Sequence, residues 1–579
     1  MRIVIDIDVA VPMIDGTVLR ADVYRPETAD RLPVLLQRTP YDKGDIGAVT
    51  YGMDVLRAAR AGYAVVVQDV RGCHASAGRF DPFVHEAADG ADTVAWAAHQ
   101  PWSNGRVGMI GGSYVGATQW LAALRNPVAL EAIAPFVTAA DYHEGWTYQG
   151  GAFALGFNLR WAYASLALAE VDRRAGDGRI SSEELLAFAI EAHRSDALYD
   201  RLPLVDVPEL GDVAPYYLDW LARPDRDDRW RAIAPRDHHT AITVPALNVG
   251  GWYDLFLGGT LDNYRGVRAT GGSPLARSLQ RLVIGPWSHS VQGGAFVGRD
   301  YGAFSGTEGM DLTRLQLRWF DHVLRAVDNG VDREPPVRLF VMGVDVWRDE
   351  DDWPLPDTRW TDHYLHSDGR AATTGGGLST EPPGDEPGDV FRYDPHDPVP
   401  TVGGPTFLPG AAVGANAGPR DRRTVERRGD VLTYTSAPLQ EPLEVTGPVT
   451  LTVHMSTSVV DTDITGALVD VHPDGRAELL TEGILRARYR HSLSAPEALE
   501  PGRVHELRVD LWATSNVFGI GHRVRLEVSS SNFPRFDRNP NTGGVIATTG
   551  PDDLVTAVTT IHHDRGHPSH VTLPIIARH

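Results

Sequence analysis

Up to residue 141, short apolar runs alternate with stretches of helical period. Pro33-Val34-Leu35-Leu36-Gln37-Arg38 and Tyr63-Ala64-Val65-Val66-Val67-Gln68-Asp69 have the length and apolarity of buried strands, with a helical stretch from Met53 to Ala61 between them. The alanine-rich run from Glu86 to His99 predicts another helix, and Arg106 to Ile110 predicts a return to strand. Alternation of this kind predicts a mostly parallel sheet covered by helices. The first residues, Met1-Arg2-Ile3-Val4-Ile5-Asp6-Ile7-Asp8-Val9, alternate apolar with polar, as a half-exposed strand does.

Between 142 and 240 the strand signal vanishes. This stretch holds Trp146, Trp161, an alanine- and leucine-rich run and a helix start at Ser181-Ser182-Glu183-Glu184, and it predicts a helical insertion. Strand and helix alternation resumes with Pro245-Ala246-Leu247-Asn248-Val249, Arg281-Leu282-Val283-Ile284, a helix from Leu315 to Ala326 and a last strand at Val337-Arg338-Leu339-Phe340-Val341-Met342. Residues 369–418 are rich in Gly, Pro and Asp. From Val431 onward period-2 strands dominate, such as Val449-Thr450-Leu451-Thr452-Val453-His454-Met455 and His522-Arg523-Val524-Arg525-Leu526-Glu527-Val528, with turn signals such as Pro473-Asp474-Gly475. The expected organisation is an α/β core from 1–141 and 241–350, a helical cap from 142–240 and an all-β sandwich from 351–579.

Composition narrows the function. A formal net charge of −22, with no basic patch, argues against nucleic acid as a partner. No apolar run approaches the ~18 residues that cross a bilayer, and the N-terminal pattern is not that of a signal peptide, so a cytoplasmic location is expected. The single cysteine, Cys73, excludes an intrachain disulfide and a thiolate metal cluster, and within Arg71-Gly72-Cys73-His74 it reads as structural.

Candidate chemistry centres on Gly108-Met109-Ile110-Gly111-Gly112-Ser113-Tyr114-Val115-Gly116, which follows a strand and opens a helix from Ala117 to Leu124. A serine on such a tight turn presents its hydroxyl clear of other side chains, and the following helix N-terminus offers N–H groups to developing negative charge. The second glycine falls one residue later than in the G-x-S-x-G elbow, because residue 115 is valine. An α/β hydrolase supplies its acid and histidine after later strands, in the order Ser, Asp, His. Asp254, in Gly250-Gly251-Trp252-Tyr253-Asp254, and His289, in Gly285-Pro286-Trp287-Ser288-His289, both follow predicted strands in that order. His289 would take the Ser113 proton and Asp254 would orient the imidazole. One oxyanion donor is expected at the Tyr114 N–H. The loop Arg38-Thr39-Pro40-Tyr41-Asp42-Lys43 lacks the HGGG pattern that supplies a second, and its Tyr41 phenol could substitute, although on the residues alone a packed tyrosine is the better reading. No cofactor or required metal is expected, so activity should survive chelation. His238-His239 and His562-His563 are adjacent pairs without i, i+4 spacing, and Asp461-Thr462-Asp463 reads as a strand cap or turn before it reads as a calcium loop.

The sequence as a whole resembles the bacterial cocaine esterase-like hydrolases, within the X-Pro dipeptidyl-peptidase and α-amino-acid ester hydrolase group. Pro40-Tyr41-Asp42-Lys43, Gly112-Ser113-Tyr114-Val115-Gly116, Gly251-Trp252-Tyr253-Asp254, Gly285-Pro286-Trp287-Ser288-His289, Arg338-Leu339-Phe340-Val341-Met342-Gly343, Asp352-Trp353-Pro354-Leu355-Pro356-Asp357, Ser529-Ser530-Ser531-Asn532-Phe533-Pro534 and Asp537-Arg538-Asn539 match the family pattern in order. The resemblance implies a jelly-roll C-terminal domain, a homodimer, and an oxyanion hole made by the Tyr41 hydroxyl and the Tyr114 N–H. It also implies an acyl pocket lined by Trp146, Trp161 and Phe256 and closed by a jelly-roll loop at Phe407 and Leu408. That loop and the segment from Glu144 to Arg236 depart from the family sequence, so the acyl group is what the resemblance defines least.

Three readings follow. The first is a serine esterase for a small-molecule ester with a bulky aromatic or apolar acyl group. The second is hydrolysis of amino-acid esters, β-lactam side chains or X-Pro peptides, which needs carboxylates to hold a free ammonium, with Glu144 as a candidate. The third is a non-catalytic binding protein using its sandwich domain.

Overall fold

The computed structural model describes residues 2–408 and 416–578. Ten strands form the central sheet: β1 (Ile3–Pro12), β2 (Val18–Pro26), β3 (Leu32–Thr39), β4 (Ala64–Asp69), β5 (Ser103–Gly112), β6 (Leu130–Phe136), β7 (Leu247–Tyr253), β8 (Arg281–Ser288), β9 (Val337–Val341) and β10 (Val346–Glu350). Across the sheet they run β1-β2-β4-β3-β5-β6-β7-β8-β9-β10. The block from β4 to β9 is parallel, and antiparallel pairs are confined to the two edges. Every residue of β3, β4 and β7 is buried, because helices cover both faces, and this is why those strands read as unbroken apolar runs. β1 lies at the edge, where Ile5, Ile7 and Asp8 are exposed and Asp6 is paired with Arg25.

The helix over Leu312–Arg325 shows how closely the layers approach. It buries Leu312, Trp319, Phe320 and Leu324, and a Cβ at Gly108 would stand 2.5 Å from the Phe320 ring. It begins three residues before the sequence pattern suggests, because Asp311 caps it by accepting the Arg314 N–H at 3.1 Å.

Between β6 and β7 the chain leaves the sheet and builds the helical cap. The run Leu155–Arg160, Trp161–Ala167 and Leu168–Gly176 is continuous, and its middle section widens to π-helix at Trp161. The helix over Ser182–His193 opens on a Ser181–Glu184 capping box, as its sequence predicts. One expectation needs correction: the insertion does contain strand, a hairpin of Tyr148–Gln149 with Ala152–Phe153. Two residues per arm leave no periodic trace in a sequence.

Among the described residues, eleven strands from Arg359–His366 to His570–Ile576 form the jelly roll, packed around Leu451, Val453, Leu507, Leu526 and Val571. Its buried polar clasp explains Asp461-Thr462-Asp463. Arg488 Nε donates to Asp461 at 2.7 Å, Arg486 donates to Asp463 at 2.9 and 3.0 Å, and Asn539 donates to both carboxylates. Both carboxylates are thus occupied by protein donors, as a structural motif requires. Arg486 also donates to Asp537, which accepts the Phe153 N–H at 2.8 Å and so fastens the jelly roll to the cap hairpin. No helix among the described residues is long and apolar enough to cross a membrane.

Candidate active site

Ser113 sits between β5 and the helix over Tyr114–Leu124, at φ 59° and ψ −128°. Side chains larger than hydrogen rarely adopt this region, so the surroundings must enforce it. They do so by close packing. A Cβ on Gly111 would lie 2.2 Å from Val115 Cγ1, and one on Gly112 would meet Tyr51 and Phe136 at 2.7 and 2.8 Å. The shifted glycine follows from the same packing. Val115 folds back over Gly111, while Gly116 presses against Thr138, where a Cβ would stand 2.8 Å away.

Asp254 and His289 follow β7 and β8, so all three groups emerge at the C-terminal edge of the parallel block. Ser113 Oγ donates to His289 Nε2 at 2.9 Å, and His289 Nδ1–H donates to Asp254 Oδ2 at 2.8 Å. Asp254 is fully buried, and its other oxygen accepts the Phe256 N–H at 2.7 Å. The glycine four residues before the histidine has a steric purpose. Trp287 folds onto Gly285, whose Cβ would stand 2.2 Å from the ring, and its Nε1–H is anchored on the Ser305 carbonyl at 2.7 Å.

Tyr41 follows β3, the neighbour of β5, and its hydroxyl lies at Ser113. Trp161 Nε1–H donates to that hydroxyl at 3.0 Å. Burial pushes the phenol above its usual range, outweighing its hydrogen-bonded contacts with Trp161 and Ser113, so it stays protonated. Occupied from behind by the indole, the oxygen keeps its own O–H for another acceptor. Tyr114 opens its helix, so its N–H has no carbonyl four residues earlier to bond within that helix. Its ring is pinned elsewhere, with the hydroxyl donating to Glu86 at 3.0 Å and accepting the Phe83 N–H at 2.9 Å.

Beside Ser113 lies a cavity of about 470 Å³ whose apolar wall includes Ala48, Tyr51, Val115, Phe157, Trp161 and Phe407. Phe407 also stands edge-on to His289 at 5.6 Å. Trp146, Phe256 and Leu408 stand behind this wall and are not among the residues that line it. Trp146 stacks on Phe256 at 4.0 Å, Phe256 braces the edge of His289 at 5.1 Å, and Leu408 packs against Gly156. These side chains are large and apolar enough to support the inner wall, and the cavity-facing places are taken. Phe157 was missed by the sequence reading. It stacks on Trp161 one helical turn away, at 5.5 Å, and the i, i+4 spacing is the signal that could have found it. Cys73 is buried, with its thiol pushed well up by desolvation, as suits a structural residue.

Glu144 does not line the cavity either; both its oxygens accept the Gly150 N–H at 3.1 Å. Burial raises its carboxyl from 4.5 to about 7, against the opposing pull of Gly150 and Arg236. A raised acid favours folding fully below the unfolded value and loses that advantage as pH rises through the folded value. Glu144→Gln is therefore expected to raise Tm at pH ~8 and to change it little at pH ~4, measured by calorimetry across that range. A Tm gain equal at both ends would contradict it.

A strand-edge serine bonded to a histidine that is bonded to a buried carboxylate, in the order Ser, Asp, His, defines a serine hydrolase of the α/β-hydrolase class. The chain matches the family described as X-Pro dipeptidyl-peptidase (S15 family) over residues 15–291, and the X-Pro dipeptidyl-peptidase C-terminal non-catalytic domain over 329–572. It is 43% identical to the cocaine esterase of Rhodococcus sp. (strain MB1 Bresler), over 99% of this chain and 98% of that one. Among solved structures, an aminopeptidase from a marine sediment Thaumarchaeota archaeon is 27% identical with a TM-score of 0.81, covering 100% of this chain and 96% of that one. An α-amino acid ester hydrolase is 26% identical with a TM-score of 0.79, covering 99% and 97%. The chain belongs to the cocaine-esterase family of serine esterases within that wider group.

Proposed function

We propose that Ser113 is the nucleophile, His289 the general base and acid, and Asp254 the group that orients and stabilises the imidazolium, with the Tyr41 hydroxyl and the Tyr114 N–H receiving the oxyanion. In the forward half-reaction, Ser113 Oγ attacks the ester carbonyl as its proton passes to His289 Nε2. The tetrahedral oxyanion is held by the two donors, and His289 returns the proton to the departing alcohol oxygen, leaving an acyl group on Ser113. Water, deprotonated by the same nitrogen, then releases the acid.

The acyl group we infer is aromatic or bulky and apolar, on a small-molecule ester. The observation that carries this is the apolar and aromatic wall of the cavity against Ser113. The name of the 43% identical relative, cocaine esterase, supports an ester as the substrate. A substrate with a free α-amine is the weaker reading, because the Glu144 carboxylate is committed to Gly150 and lies outside the cavity. A panel of nitrophenyl benzoate, nitrophenyl acetate and a glycyl-prolyl anilide separates the two readings, with benzoate turned over fastest and the anilide untouched; the reverse order would overturn it. Phe407→Ala is expected to lower kcat/KM for the benzoate about tenfold and for the acetate less than about threefold, since only the larger acyl group loses apolar contact. A homodimer and a cytoplasmic location, carried over from the resemblance and the sequence pattern, belong to this proposal and are tested by light scattering and cell fractionation.

A further inference from the structure

Outside the hydrolytic centre, two paired strands of the jelly roll bring two imidazoles and a carboxylate to one place. Strand Asp463–Val471 pairs antiparallel with strand Arg523–Ser529, with Asp470 opposite Val524 and Val471 opposite Arg523. Continued by one residue, that register sets His472 opposite His522. Residues two apart on a strand share a face, so Asp470 and His472 project to the same side. On the other flank, strand Ala477–Arg486 sets Glu478 opposite Asp470.

The side chains converge accordingly. His522 Nδ1 lies 2.8 Å from Asp470 Oδ1, and the two imidazole centroids are 4.4 Å apart. One ligand-capable atom from each of Asp470, His472 and His522 lies within 4.8 Å of the others. Bonds of ~2.0–2.1 Å in a tetrahedral site put ligand atoms roughly 3.3 Å apart, so small side-chain rotations close the set. Asp470 is buried while both imidazoles are half-buried, which gives the site a fixed floor and an open approach. The turn beneath is held by the His472 N–H on the Arg476 carbonyl at 2.8 Å and the Gly475 N–H on the His472 carbonyl at 2.9 Å.

We propose that Asp470, His472 and His522 bind one divalent transition-metal ion of the zinc type, with solvent as the fourth ligand. Two neutral imidazoles and a carboxylate are a borderline-soft donor set, suited to zinc, cobalt or nickel and poor for calcium or magnesium, which take oxygen. The metal takes the place of the hydrogen between His522 and Asp470, and the imidazole proton moves to Nε2. Arg476 now donates to His472 at 3.0 Å and is also paired with Glu478, so it keeps a partner when His472 turns to the metal. None of the three ligands lines the cavity at Ser113. The ion therefore fastens two neighbouring strands at their ends and takes no part in ester hydrolysis.

The test is titration of the purified, metal-stripped full chain with Co²⁺, following the visible absorption of tetrahedral cobalt. One equivalent per chain is expected to give the band, and Zn²⁺ to abolish it by displacement. The double variant His472→Gln, His522→Gln is expected to weaken binding roughly a hundredfold or more, with circular dichroism and nitrophenyl-ester turnover unchanged as evidence of folding. The double variant His562→Gln, His567→Gln, which removes a separate pair of imidazoles 5.6 Å apart in the jelly roll, is expected to keep the band. Absence of a band in the unaltered protein, its survival in the first double variant or its loss in the second would overturn the proposal.

Discussion

Ser113→Ala is expected to lower kcat for a nitrophenyl ester by about 10⁴- to 10⁶-fold, with KM changed far less. The magnitude follows from what the substitution leaves behind. Without Oγ there is no acyl-enzyme, and His289 is left to activate a water that nothing in the strand-to-helix turn positions. The proposed oxyanion donors remain, since one is a backbone N–H and the other is on the loop after β3, so some catalysis over water persists. Because the serine is held at φ 59° by its packed neighbours, the alanine variant should keep the turn and fold normally. Steady-state kinetics on both proteins decide it. A loss of less than about tenfold would mean that the ester is attacked by something else, since removal of a true serine nucleophile is never so mild.

Tyr41→Phe is expected to lower kcat by about 10²- to 10³-fold while leaving KM nearly unchanged, the signature of a donor that matters mainly in the transition state. The phenol is half-buried, accepts the Trp161 N–H, and is held protonated because desolvation disfavours its anion. Its O–H thus stays available as a donor across the working pH range. Phenylalanine removes one oxygen and leaves the ring, so packing is preserved and the kinetic change reports the hydrogen bond. Trp161→Phe should give a smaller loss in kcat, because it frees the phenol to rotate without removing it. Equal losses for the two variants, or a change confined to KM, would make Tyr41 a wall of the cavity and leave the oxyanion to other donors.

The fold and the hydrolytic centre differ in how far the chain pattern reveals them. Ser113, Asp254 and His289 were legible because each comes directly after an apolar run that only a buried parallel strand explains. Val115 in place of the expected glycine weakened that signal, and the reason is tertiary: the valine needs the bare Gly111 beneath it. Tyr41 was not legible from its neighbours, since a tyrosine after a strand is ordinarily packing, and it took the family resemblance to pick it out. Trp161 carries two duties, wall and hydrogen-bond donor, and the second joins it to a residue 120 positions away, which no local pattern records. Which of Trp146, Trp161, Phe256, Phe407 and Leu408 face the cavity depends on packing depth, which composition alone does not record. The grouping of Asp470 with His522 depends on strand pairing between residues distant in the chain, which no local pattern records.

The most direct test of the central claim is covalent. The protein is treated with a fluorophosphonate probe, and the digested product is mapped by mass spectrometry. A single adduct on the peptide carrying Ser113, absent from Ser113→Ala and suppressed by prior addition of nitrophenyl benzoate, is the predicted result. An adduct on another residue, or no adduct on an enzyme that still turns over the ester, would contradict Ser113 as the nucleophile.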